Sequence, residues 1–139
     1  MRFESAIRID RPAAEVYAVF ADVVEWPSWT ASISSVERLD DGPFQVGSRA
    51  RVVQPKLPPA IWNVTAITPG RSFTWESTAP GLRTVGRHVV EEHRGYALAR
   101  SILDQHGPLG TAVGLAYGRL IRRYLAMESA GLKERCERS

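Results

Sequence analysis

Of the three histidines in the chain, only His88 stands inside a run that reads as a strand. An imidazole on the inner side of a strand can protonate a bound molecule, or donate to it, near neutral pH. The plainer reading is a core histidine satisfied by a backbone group or by Glu92 on the same face. His93 and His106 fall in turn regions and read as exposed. Tyr117 and Tyr124 lie on the apolar stripe of a C-terminal helix, where their hydroxyls need partners from a ligand, water or the rim of the core. Glu128 continues that stripe one turn later. It reads as a helix-end residue reaching solvent or Arg135, with a cavity-facing carboxylate as the alternative. Ser, His and carboxylate residues occur in no recognisable triad, and no pair has zinc-ligand spacing, so neither metal nor cofactor is expected.

The helix that carries the tyrosines is expected over 107–134. Val113, Tyr117, Leu120, Ile121, Tyr124 and Leu125 recur on one face, with Arg119, Arg122 and Arg123 opposite. Gly110, Gly114 and Gly118 form a row beside that stripe. Three interior glycines cost on the order of 3 kcal/mol against alanine, so a close approach of the sheet, of a ligand or of another chain should compensate. The row is expected to border a cavity or a homodimer contact.

Ahead of the helix the chain alternates in short runs. Arg2 to Ile9 puts Phe3, Ser5, Ile7 and Ile9 on one side, a half-buried strand. Asp10 before Arg11-Pro12 reads as an N-cap, followed by a short helix through Val16, Tyr17, Val19 and Phe20. A second helical piece starts at Asp22 and breaks at Pro27, flanked by Trp26 and Trp29. Strands are expected at 33–39, 48–54, 60–67, 71–78, 84–92 and 96–103, joined by turns rich in Gly and Pro. The Pro55-Lys56-Leu57-Pro58-Pro59 segment is a stiff loop and a candidate lid. Many short antiparallel strands with tight turns exclude a doubly wound parallel sheet, and the class is α+β.

The length, 139 residues, suits a single domain spanning 1–139. Lys and Arg number 18 against 15 for Asp and Glu, and the basic residues are scattered, which argues against a nucleic-acid partner. Cys136 is the only cysteine and can form no intramolecular disulfide, so a reducing cytoplasm is the expected compartment. No apolar run approaches the ~20 residues of a transmembrane segment, and the first ten residues alternate instead of forming a signal.

This order resembles the START-like (SRPBCC) superfamily and its helix-grip fold. Ile9-Asp10-Arg11-Pro12-Ala13-Ala14-Glu15-Val16-Tyr17, Phe20-Ala21-Asp22 and Trp26-Pro27-Ser28-Trp29 look like its polyketide cyclase/dehydrase and lipid-transport branch. So do Trp62-Asn63-Val64-Thr65, Pro69-Gly70-Arg71 and Gly86-Arg87-His88-Val89-Val90. The same holds for Arg123-Tyr124-Leu125-Ala126-Met127-Glu128 with Gly131-Leu132-Lys133. One departure is the short turn at His93-Arg94-Gly95-Tyr96, where the family often has a longer one.

The resemblance implies a curved antiparallel sheet of six to seven strands around the long C-terminal helix, with two short helices after the first strand. It also implies a cavity between sheet and helix, lined by Trp62, Trp75, His88, Tyr117 and Tyr124, for a small apolar ligand of aromatic, polyketide-like or lipid-like type. Trp26 and Trp29 would then stand near its mouth, as a gate or as packing. An enzyme of cyclase or dehydratase type is the second reading, with His88 as general acid/base and a tyrosine polarising a carbonyl. A ligand-free interaction module, with a filled core, is the third.

Overall fold

The computed structural model describes residues 1–138. The first strand, β1 (Arg2–Ile9), buries Phe3 and Ile9 and exposes Arg2, Glu4 and Arg8, as its alternation requires. Next come the helix α1 (Ala13–Ala21) and a 3-10 helix (Val23–Ser28). Six strands follow: β2 (Ser35–Arg38), β3 (Arg49–Val53), β4 (Ala60–Thr68), β5 (Ser72–Ala79), β6 (Leu82–His93) and β7 (Tyr96–His106). They form one antiparallel sheet in the order β1-β7-β6-β5-β4-β3-β2. The long helix α2 (Gly110–Glu137) closes the chain. This is the α+β helix-grip arrangement: a seven-stranded sheet, two short helices and one long one. None of the described helices is long and apolar enough to cross a membrane.

Local chemistry moves several boundaries. Pro12, not Asp10, occupies the cap position of α1, and no side chain caps the helix. Asp10 lies too early to reach the first-turn amides; its own amide donates to the Glu137 carboxylate at 2.8 Å, tying β1 to the end of α2. Pro27 sits inside the 3-10 helix instead of breaking it. The amides of Trp29 and Thr30 close that turn onto the Trp26 carbonyl, so residue 27 needs no donor. Strand β7 runs three residues beyond Leu103 because the polar end pairs with the chain's start. Asp104 accepts two bonds from the Arg2 guanidinium, at 2.8 and 3.0 Å, and one from Arg87 at 3.3 Å. Gly107, at φ 97°, then turns the chain so tightly that a Cβ would lie 2.6 Å from the Gly81 carbonyl oxygen.

The core joins the inner sheet face to α1, the 3-10 helix and the later half of α2. Phe20, Phe73, Val64 and Leu132 are at most 1% exposed. The buried stripe of α2 differs from the expected one in its first half. There the glycines Gly110, Gly114 and Gly118 face inward, and Tyr117 is 42% exposed. A Cβ on Gly110 would meet the Gln105 carbonyl at 3.0 Å; one on Gly114 would strike Met1 Sδ. The sheet itself, at the start of β1 and the end of β7, is therefore the close neighbour of this row, one of the approaches expected for it. Without side chains at these positions, the helix can lie directly on two strands.

Candidate functional site

Because α2 packs against β1 and β7 and leaves the far strands uncovered, space remains beneath its other flank. An open cavity of about 900 Å³ occupies it. Its walls are Val113, Tyr117, Ile121 and Tyr124 of α2, Trp62 and neighbours of β4, and the Leu57-Pro58-Pro59 loop. Below it lies a smaller chamber of about 80 Å³, bounded by Trp26, Trp62, Trp75, His88, Ser101 and Glu128, among others. Trp62, Val52, Gln54, Leu103 and Tyr124 line both spaces, so the two adjoin.

The five expected residues divide between them. Trp62 is half-buried and belongs to both; its ring lies 5.5 Å from that of Trp75. Trp75 is 3% exposed and touches only the inner chamber. Tyr117 stands at the outer rim. Tyr124 is buried, and its hydroxyl donates to the Pro55 carbonyl, which anchors the Pro55–Pro59 loop, the candidate lid. Trp26 and Trp29 are both buried in the core, as the packing reading expects. The Trp26 indole donates to the Phe20 carbonyl at 3.0 Å, and its ring walls the inner chamber.

His88 lies on the inner face of β6, opposite Phe73 of β5, whose ring stacks on the imidazole at 4.4 Å. The Phe20 ring meets it edge-on at 5.1 Å. Burial among these rings drives the imidazole pKa down to about 3, eased only in part by the backbone of Phe73. Its Nδ1 has no hydrogen-bond partner of ordinary geometry. Glu92, the expected partner, is exposed. The group that does face the imidazole is Glu128, with 3.7 Å between Nε2 and Oε1.

Glu128 overturns its helix-end reading. The helix continues to Glu137, which leaves Glu128 in its interior and buried between the Tyr124 and Leu132 turns. The Ser101 hydroxyl of β7 donates to Oε1 at 3.3 Å. Burial raises the carboxyl pKa to about 7, and the Ser101 bond works against that rise. One residue on, Ser129 shares a 2.8 Å hydrogen bond with Ser5 of β1, which fixes the rotation of the helix about its axis. The signal was present: a carboxylate at spacing four between Tyr124 and Leu132, on a stripe that otherwise goes inward. Ser101 and Gln105 gave no such signal, because polar residues on a strand ordinarily mark its outer face. Gln105 lines the outer cavity with its Oε1 buried and unpartnered.

Chemically, the chamber holds a neutral imidazole 3.7 Å from a carboxyl whose pKa burial raises to about 7, and a hydroxyl that donates to that carboxyl. Such a set can accept, hold or return one proton. Among the described residues no cluster of three or more His, Cys, Asp or Glu could hold a metal ion.

A family model described as polyketide cyclase / dehydrase and lipid transport matches residues 1–137. Among solved structures, the Zhui aromatase/cyclase of a Streptomyces species is 16% identical, with a TM-score of 0.76 over 99% of this chain and 94% of that one. A START superfamily protein of Mycobacterium smegmatis is likewise 16% identical, with a TM-score of 0.75 over 99% and 97%. A hypothetical protein of Helicobacter pylori reaches a TM-score of 0.83 at 11% identity, over 98% and 88%. At these identities the likeness carries the fold alone. No curated protein matches the chain significantly.

Proposed function

The chain belongs to the polyketide cyclase/dehydrase and lipid-transport family, and on that premise we propose that it binds a small, mostly apolar ligand between sheet and helix. The observation that carries this reading is the cavity of about 900 Å³ beneath α2, with Trp62, Tyr117 and Tyr124 on its walls. A space of that size is that of a small-molecule site. It also weighs against the ligand-free interaction module, which would have filled its core. Apolar burial supplies the affinity, and the polar chamber below orients one end of the ligand. A carrier or sensor needs no more than this.

Thermal-shift screening against apolar aromatic, fatty-acyl and polyketide-like compounds tests the reading, in wild type and Trp62→Ala. A ligand that binds only the native state raises Tm, and the rise should shrink in the variant. If no compound shifts Tm, the reading fails.

The chamber favours a second reading, a cyclase or dehydratase. His88, held neutral, is a poor acid at neutral pH; Glu128, titrating near 7, suits the exchange of a proton with a bound carbonyl compound. In a dehydration the Glu128 carboxylate would take the proton α to the carbonyl and return it to the departing hydroxyl, which leaves as water. Turnover of a β-hydroxy carbonyl compound, abolished in Glu128→Gln, would separate enzyme from carrier.

A further inference from the structure

The two adjoining spaces carry a sign of charge as well as a shape. Among the described residues that line them, two are acids, Glu76 and Glu128, and none is Lys or Arg. Glu76 sits on the outer wall and is paired with Arg83 at 3.0 Å. Glu128, at the bottom, has no cationic partner: the groups facing it are Ser101 of β7 and the His88 imidazole of β6. Phe20, Phe73 and the tryptophans pack around that imidazole, which burial keeps uncharged. An anionic head entering this chamber would lose its water and meet a carboxyl with no positive charge to offset it.

The acceptors on the walls point the same way. Glu128 accepts a single hydrogen bond, at 3.3 Å, on Oε1. In the outer cavity the Gln105 Oε1 accepts none. A buried acceptor without a donor is costly, and a ligand that brings N–H or O–H groups removes that cost. The walls add the rings of Trp26, Trp62 and Trp75, whose faces attract a cation and tolerate a neutral arene.

We infer that the ligand is non-anionic: an apolar, aromatic body seated between Trp62 and Tyr124, with one hydrogen-bond-donating head, hydroxyl or ammonium, on Glu128. This rests on the ligand-binding reading above and narrows it, for it sets aside free fatty acids and phosphate-bearing lipids. Hydroxyl and ammonium heads share the donor chemistry; they differ in whether Glu128 answers as a neutral acceptor or as a counter-ion.

A series on one scaffold tests the inference: 2-naphthalenemethanol, 2-naphthylmethylamine and 2-naphthoate, titrated calorimetrically into wild type and Glu128→Gln at about pH 8, where the wild-type carboxyl is ionised. The alcohol or the amine is expected to bind, with 2-naphthoate weaker by about tenfold or more. Glu128→Gln should narrow that gap, and an amine preference lost in the variant identifies the ammonium head. Binding of 2-naphthoate to wild type within about threefold of the others overturns head selection and leaves the ligand-binding reading standing. So does a gap that Glu128→Gln leaves unchanged. The wild-type series decides the first of these even where the variant folds poorly. If none of the three binds, and the broader screen also fails, the binding reading falls and this inference with it.

Discussion

His88 and Glu128 face each other in the interior with 3.7 Å between Nε2 and Oε1, and burial disfavours the charged form of each. An exposed pair of this kind would ionise at neutral pH. Here the aromatic packing removes the water that would support the charges, and taking two ions out of water costs more than their attraction returns. A single hydroxyl, Ser101, is the polar support that remains for the carboxyl. The pair thus stands on the wall of the small chamber, largely removed from water.

The stability of the fold should record this pair as a function of pH. The imidazole falls from 6.5 to about 3 on folding and the carboxyl rises from 4.5 to about 7. Between about pH 3 and 4.5 the unfolded chain holds protons on both groups and the folded chain on Glu128 alone, so their contribution to stability rises with pH. From 4.5 to 6.5 each state holds one proton and the contribution is level. Above 6.5 it falls until about 7, because only the folded state still holds one. Relative to wild type, Glu128→Gln should gain stability with rising pH between 4.5 and about 7. His88→Phe should lose it between about 3 and 6.5. Each slope should be about 1.4 kcal/mol per pH unit. Urea unfolding across this range is the measurement; two variants that track wild type would mean that the pair is not held neutral.

Trp62 and Trp75 touch each other but should respond differently to truncation. Trp75 is 3% exposed among Phe73, Trp26 and His88, so Trp75→Ala should cost about 3–5 kcal/mol of stability. Trp62 is half-buried at the junction of the two spaces. Trp62→Ala should shift Tm little and weaken a bound apolar ligand by about ten- to a hundredfold. Calorimetric unfolding and ligand titration, run on both variants, compare the two.

Two glycines of α2 should give opposite results. In Gly118→Ala the new methyl would lie 3.2 Å from the Arg122 Nη1, which can swing aside, and 3.6 Å from the Phe3 ring, an ordinary contact. Relief of the glycine cost should stabilise the protein by up to about 1 kcal/mol. In Gly131→Ala the methyl would strike the Trp29 carbonyl oxygen, which is backbone and cannot swing away. The loss there should be about 1–3 kcal/mol. Thermal unfolding of the two variants gives both signs.

Cys136 is 5% exposed, and burial pushes its thiol up to about 11. An aromatic disulfide reagent at about pH 8 should therefore modify the native protein about a hundredfold more slowly than the urea-unfolded chain. Equal rates would mean that the end of α2 is not packed as described.

Much of this molecule was legible because period-two alternation survives translation into structure. Trp62 with Val64, Phe73 with Trp75, and His88 with Val90 do face the helix side, on strands close to the expected ones. The family resemblance chose that face, since alternation alone cannot. Errors arose where one element answers another far along the chain. Asp104 and Gln105 join β7 only because Arg2 and Met1 pair with them from about a hundred residues away. Glu128 reads as a solvated residue until Ser101 and the neutral His88 are brought opposite it. Gly114 calls for a close neighbour without naming it until Met1 is found there. Each of these partners is set by tertiary approach, which composition and spacing do not encode.

The strand order carries a consequence for how the molecule comes into being. Strand β1 has one neighbour in the sheet, β7, and pairs with it from Arg2 opposite Asp104 to Ile9 opposite Ala97. The earliest strand of the sheet to be made therefore has no partner until the last one, β7, has emerged. Closing so long a loop delays the pairing and slows folding. The helix that covers both strands comes later still. A nascent chain halted before β7 would expose Phe3 and Ile9 to its surroundings, and the domain assembles as a whole only once its C-terminal helix is free.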